Sequence, residues 1–207
     1  MSAWEIYKTV DKQAVAEITE KKSRFICNIR HTESEDDATE FIRQMKKKYY
    51  DARHNVYAYI IGDGSVKKCS DDGEPSKTAG IPIMQMLESE GITDVVCVVT
   101  RYFGGTLLGT GGLIRAYTAS AKEGVSAAGI KTRSMCNVYI LTVPYSKLAT
   151  AEYIISGMGA VTEDKVFAED VALNVHILSE NADDFIKEIK EKLGNDINIE
   201  FCEQTYK

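Results

Sequence analysis

Two rhythms of hydrophobic and polar positions run along the chain, and one stretch follows neither. Residues 95–99, VVCVV, are an unbroken apolar and mostly β-branched run, which suits a strand buried on both faces. Ahead of it, residues 14–18 and 24–29 are short strand-like runs around a polar turn at residues 20–23, a pattern that predicts an opening hairpin. Ser34 then stands where it caps a helix, with Asp37 three residues on, and Ala38, Phe41, Ile42, Met45 and Tyr49 form one apolar stripe. His54–Ile61 is aromatic and β-branched and predicts another strand. Residues 62–80 are too polar and too rich in turn formers for a regular element, so a long loop is expected. Residues 81–87 predict a short helix with Pro82 in its first turn and Gly91 past its end. After the apolar run, Leu113, Ile114, Tyr117, Ala121 and Val125 recur at helical spacing, predicting a helix from near Gly111.

From Arg133 the rhythm shortens. A strand at 138–143, a helix at 145–156 closed by Gly157, and strands at 160–167 and 171–177 are predicted. A well-marked helix follows: Asn181 is its expected cap, Asp183 and Asp184 its first turn, Phe185, Ile186, Ile189 and Leu193 its apolar face, and Gly194 its end. Ile197, Ile199 and Phe201 alternate in a last strand. The order β-α-β-β-α-β is the split β-α-β arrangement. The pattern therefore predicts an α+β protein of two domains, residues 1–133 and 134–207.

Composition narrows the setting. The chain has 207 residues, 44% of them hydrophobic, enough for ordinary folded cores. No window reaches the roughly 18 apolar residues of a membrane helix, and the N-terminus lacks a secretory apolar core. Five scattered cysteines, Cys27, Cys69, Cys97, Cys136 and Cys202, show no C-x-x-C spacing and read as reduced thiols. A cytoplasmic protein without membrane contact is expected. The net charge of −6 is uneven: residues 1–133 hold 19 Lys+Arg against 18 Asp+Glu, and residues 134–207 hold 6 against 13. A nucleic-acid partner would therefore meet the first domain, where Arg43, Lys46, Lys47 and Lys48 make a basic helix face. Sequence readout of DNA is not expected.

Candidate chemistry gathers beside the central run. Arg101, Tyr102 and Phe103 follow the strand, and Gly104, Gly105, Gly109, Gly111 and Gly112 then permit positive φ or close approach to a ligand. The glycines feed a helix whose free N–H groups suit an anion, with Arg101 and Arg115 supplying charge; the competing arrangement pairs Arg101 internally with Asp71 or Asp72. The acidic loop carries Asp71, Asp72, Glu74, Lys77 and Thr78. Its three carboxylates lack an EF-hand spacing and suit a structured turn better than a metal site. His54 stands at a strand start and reads as a binding residue rather than a catalytic base. Neither a Walker nor a dinucleotide fingerprint is present, and no nucleophile signature or paired-metal ligand set can be read. No cofactor, metal or catalytic residue is expected.

The segments HNVYAYIIG, SDDGEPSKTAGIP and VVTRYFGGTLLGTGGLIRAY, in this order, resemble the bacterial IMPACT family of uncharacterised proteins over most of residues 15–128. The second half is similar to the small domain that accompanies it. The family pattern has a glycine where Lys77 stands and a basic residue where Ile81 stands. The resemblance implies an N-terminal β-α two-layer domain like domain IV of elongation factor G and a C-terminal ferredoxin-like domain. It also implies a translation-related regulator, since the eukaryotic relative competes for an activator of a stress-responsive initiation-factor kinase. The expectation is a non-enzymatic protein that binds a protein or RNA of the translation machinery through the loop at 71–78 and the segment 101–115. The alternatives are a small-molecule enzyme using the glycine loop as an anion site and a pure protein-interaction module.

Overall fold

The computed structural model describes residues 6–194 and 197–207, whose two compact units are residues 7–132 and, with Ile6, residues 133–207. The first holds most of β1 (Ile6–Val10), then β2 (Ala14–Glu20), β3 (Ser23–His31), α1 (Glu35–Lys48), β4 (His54–Ile61), β5 (Val66–Ser70), α2 (Gly80–Ser89), β6 (Val95–Tyr102) and α3 (Gly109–Ala128). Strands β2 to β6 form a sheet in the order β2-β3-β6-β4-β5, every neighbour antiparallel.

Strand β6 lies at the centre, and its apolar run is divided between two cores. Val95, Cys97 and Val99 face α2 and α3, while Val96 and Val98 face α1 together with Tyr59 and Ile61. A strand covered on both sides has no polar face to alternate with, which is why the run is unbroken. Each such side chain contributes roughly 1.5–3 kcal/mol by burial. The α+β class is as the sequence implied, and α1 adds a third layer to the two expected, because the even positions of β6 also need cover.

Local chemistry sets the element ends. The Ser34 hydroxyl accepts the Asp37 N–H at 3.1 Å, capping α1. Residues 62–80 are not all loop: β5 pairs with β4 from Tyr57↔Ser70 to Ile61↔Val66. Its side chains carry no apolar alternation; the strand is held by backbone bonds to β4, with Lys67 on Glu88 of α2 and Cys69 against the core beside them. Helix α3 begins at Gly109, two residues ahead of the expected start.

The second unit contains most of β7 (Ile130–Val143), then α4 (Leu148–Gly157), β8 (Val161–Phe167), β9 (Val171–Leu178), α5 (Ala182–Leu193) and β10 (Asn198–Tyr206). Within this unit the antiparallel order is β10-β7-β9-β8, the ferredoxin-like arrangement. Leu141, Val143, Leu173, Val175 and Ile177 pack against Ala151, Ile155, Phe185 and Ile189. Strand β7 starts eight residues before the expected 138, and a 3₁₀ turn at Tyr145–Lys147 precedes α4. Asn181 stands at the cap position of α5, as expected, but its side chain makes no capping bond; at φ −100° and ψ 0° it lacks the extended backbone that Ser34 uses.

Candidate functional site

The C-terminal end of β6, the loop from β5 to α2 and the start of α3 surround an open cleft of about 480 Å³ in the first unit. Its walls come from Arg53, His54, Gly73, Glu74, Pro75, Arg101, Phe103, Leu107, Leu108, Gly109, Thr110 and Leu113. The acidic loop and the glycine segment, far apart in sequence, are thus brought together.

The loop's carboxylates point in three directions, each to its own donors. Asp71 accepts the N–H groups of Lys77 at 2.7 Å, Ala79 at 3.0 Å and Gly80 at 2.8 Å. Ala79, at the cap position of α2, has no side chain that can do this, so Asp71 caps the helix from outside it. Asp72 accepts the Asn55 N–H at 2.7 Å and the Lys46 ammonium at 2.7 Å, and its carbonyl accepts from His54 Nδ1 at 2.8 Å. Glu74 turns inward, accepting from Arg101 Nη1 at 2.7 Å and from the Tyr117 hydroxyl at 2.8 Å. Thr78 is buried and donates to the Pro75 carbonyl at 2.6 Å. Among the described residues no group of three His, Cys, Asp or Glu side chains is arranged to hold a metal ion.

Arg101 is the floor of the cleft. Its Nη2 stands 3.5 Å from the Ser23 hydroxyl, and its guanidinium lies 5.4 Å from the Phe25 ring centre and 5.7 Å from that of Phe103, within cation–π range of both. Its carboxylate partner is Glu74, not the Asp71 or Asp72 considered from the sequence, because Asp71 is spent on the N–H groups of the loop and the α2 start and Asp72 on Asn55 and Lys46. Burial pushes the Tyr117 hydroxyl far above its ordinary range, with the Glu74 charge adding to the rise, so Tyr117 serves this cluster as a donor.

Tyr102, one residue on, points to the opposite face of the sheet. There its hydroxyl donates to Asp51 at 2.7 Å, and that bond pushes its pKa up to about 12. The glycines have separate reasons. Gly104 donates its N–H to the Ser23 hydroxyl at 3.1 Å, and a Cβ on it would fall 2.0 Å from the Lys22 carbonyl carbon, so the close approach is to the chain itself. Gly105 and Gly109 have φ of +83° and +70°. Gly111 and Gly112 sit in the first turn of α3, and Arg115 reaches back so that its Nη1 lies 3.6 Å from where a Gly111 Cβ would stand. Arg115 does not line the cleft. Lys77 has a φ of +63°, a left-handed backbone that accounts for the glycine the family pattern places there.

Arg53, Leu107 and the rim position of Phe103 escaped the sequence reading. Phe103 and Leu107 are 54% and 84% exposed. The available signal was the placing of two large apolar residues inside a glycine-rich segment, where a core has no use for them.

Residues 21–125 match the Impact N-terminal domain, and residues 141–195 match a Domain of unknown function (DUF1949). IMPACT family member YvyE of Bacillus subtilis is 35% identical over 201 residues, covering 97% of this chain and 93% of that protein. An IMPACT family member of Haemophilus influenzae is 32% identical over 186 residues, 88% of this chain and 90% of its own. A solved structure described as a hypothetical protein superimposes with a TM-score of 0.63 at 28% identity, covering 97% of this chain and 98% of that one. The chain belongs to the IMPACT family. Similarity to the Dictyostelium discoideum protein IMPACT homolog is confined to 97 residues, 28% of that protein's length, at 36% identity.

Proposed function

We propose that the chain is a non-enzymatic, cytoplasmic regulator of translation that docks a component of the translation machinery on the cleft of its first unit. The observation that carries this reading is a division of labour. Asp71, Asp72, Glu74, Arg101 and Tyr117 of the floor and loop are each bound to a backbone N–H or an ionisable side chain, whereas Phe103 and Leu107 are open to solvent at the rim. Acids and bases bonded in this way hold the loop, strand and helix together, and exposed apolar side chains beside a cation suit recognition. Family membership supports the regulatory part of the reading. The charge balance favours the first unit for any RNA contact.

Co-sedimentation through a sucrose gradient is the test. The chain is expected in the ribosomal fractions of a lysate, and a Phe103→Ala, Leu107→Ala double variant at the top of the gradient. A wild-type chain that stays at the top under all conditions removes the reading.

A further inference from the structure

Three groups of the cleft specify more than a docking surface. Phe103 has the Arg101 guanidinium 5.7 Å from its ring centre, yet more than half of the residue stays exposed, so it offers open aromatic surface for stacking. Arg53 lines the same cleft, is exposed, and has no partner among the described residues. His54 is held in one tautomer: a carbonyl can only accept, so the bond to the Asp72 carbonyl requires the proton on Nδ1. In the neutral ring its Nε2 is then the acceptor, and it too has no partner among the described residues. Of the loop's carboxylates, Glu74 is paired with Arg101 and Asp72 with Lys46, and Asp71 is turned onto three backbone N–H groups.

We propose that the cleft holds a nucleotide unit, with its base stacked on Phe103, its phosphate on Arg53, and an N–H or O–H of its base or sugar donated to His54 Nε2. The inference rests on the cleft being the functional site and names what enters it. An aromatic face, a cation and a fixed acceptor are the recurring means by which unstacked bases are recognised. The cavity of about 480 Å³ is in the range of small-molecule sites. A free mononucleotide and a nucleotide of single-stranded RNA present the same chemistry, and the experiment separates them.

Binding to the full chain would be measured with nucleoside 5′-monophosphates by calorimetry and with a short labelled oligoribonucleotide by fluorescence anisotropy. Saturable, salt-sensitive binding is expected. Phe103→Ala and Arg53→Ala should each weaken it by about tenfold, the scale of losing one base stack or one phosphate contact, with an unchanged thermal melt. Equal affinity for both probes assigns the site to the free nucleotide, and binding of the oligomer alone assigns it to RNA. Binding of neither probe, or binding that survives both substitutions, overturns the inference, as does selective capture of an acidic aromatic peptide instead. If nucleotides fail while ribosome co-sedimentation still depends on Phe103, only this inference falls and the proposed function stands.

Discussion

The Arg101 guanidinium and the Glu74 carboxylate meet at 2.7 Å with only 7% and 3% of their side chains exposed, one delivered by the central strand and the other by the loop that the sequence marks as acidic. The pair ties the loop to the sheet, and Tyr117 of α3 ties the helix to both through the same carboxylate oxygen. Opposite charges at this depth are costly to separate, since the survivor stays buried without compensation.

Arg101→Ala should therefore lower unfolding stability by about 3–5 kcal/mol, measured by urea denaturation. Arg101→Met combined with Glu74→Leu should cost less than the two single losses added together, because no charge is stranded. A single variant within about 1 kcal/mol of the parent would show that the pair carries little of the fold.

Two substitutions at loop glycine positions should move stability in opposite directions. At Gly104 a Cβ would meet backbone, the Lys22 carbonyl carbon at 2.0 Å and the Ser23 nitrogen at 2.3 Å, and backbone cannot swing aside. Gly104→Ala should cost about 1–3 kcal/mol or more. Lys77 already occupies a glycine's conformation at φ +63°. Lys77→Gly should gain roughly 0.5–1 kcal/mol, the relief of left-handed strain less the added freedom of the unfolded chain. Thermal melts of both variants check the pair of signs.

Alkaline pH should unfold the protein more readily than mild acid. The contact with Cys97, with burial adding to it, pushes the Cys27 thiol well above its ordinary 9.0, and burial pushes the Tyr59 and Tyr117 hydroxyls above 10.0. The folded state keeps protons that the unfolded chain releases. This contribution is complete below the unfolded values and is lost as pH rises from about 9. On the acid side Glu17, Glu40 and Glu163 are lowered by Arg24, Arg43 and Lys207. Those pairs are exposed and screened, so little stability is lost as pH falls through their range. Urea midpoints measured across the range should fall more steeply above about pH 9 than between about pH 7 and 5.

What could be read from the sequence follows from what each element depends on. Helix α1 was legible because its cap, its acidic first turn and its apolar stripe are all local. Strand β6 was legible because burial on both faces writes itself as an unbroken run. Strand β5 was not, since an edge strand with Lys67 and Lys68 is held by the backbone of β4 and leaves no pattern in its own side chains. The site divides the same way. The loop at 71–78 and the segment after Arg101 were visible as turn chemistry, but their meeting depends on the sheet order β3-β6-β4. The choice of Glu74 over Asp71 as the partner of Arg101 depends on which carboxylate the loop's own N–H groups leave free.

The central claim is that the floor of the cleft serves the fold and its rim serves the partner, and affinity capture from a lysate on wild type, Glu74→Gln and Phe103→Ala, each with its melting temperature, tests it most directly. The account predicts that Glu74→Gln lowers the melting temperature, whereas Phe103→Ala melts like the parent and loses the captured component of the translation machinery. A Phe103→Ala variant that captures as much of that component as the parent would contradict it.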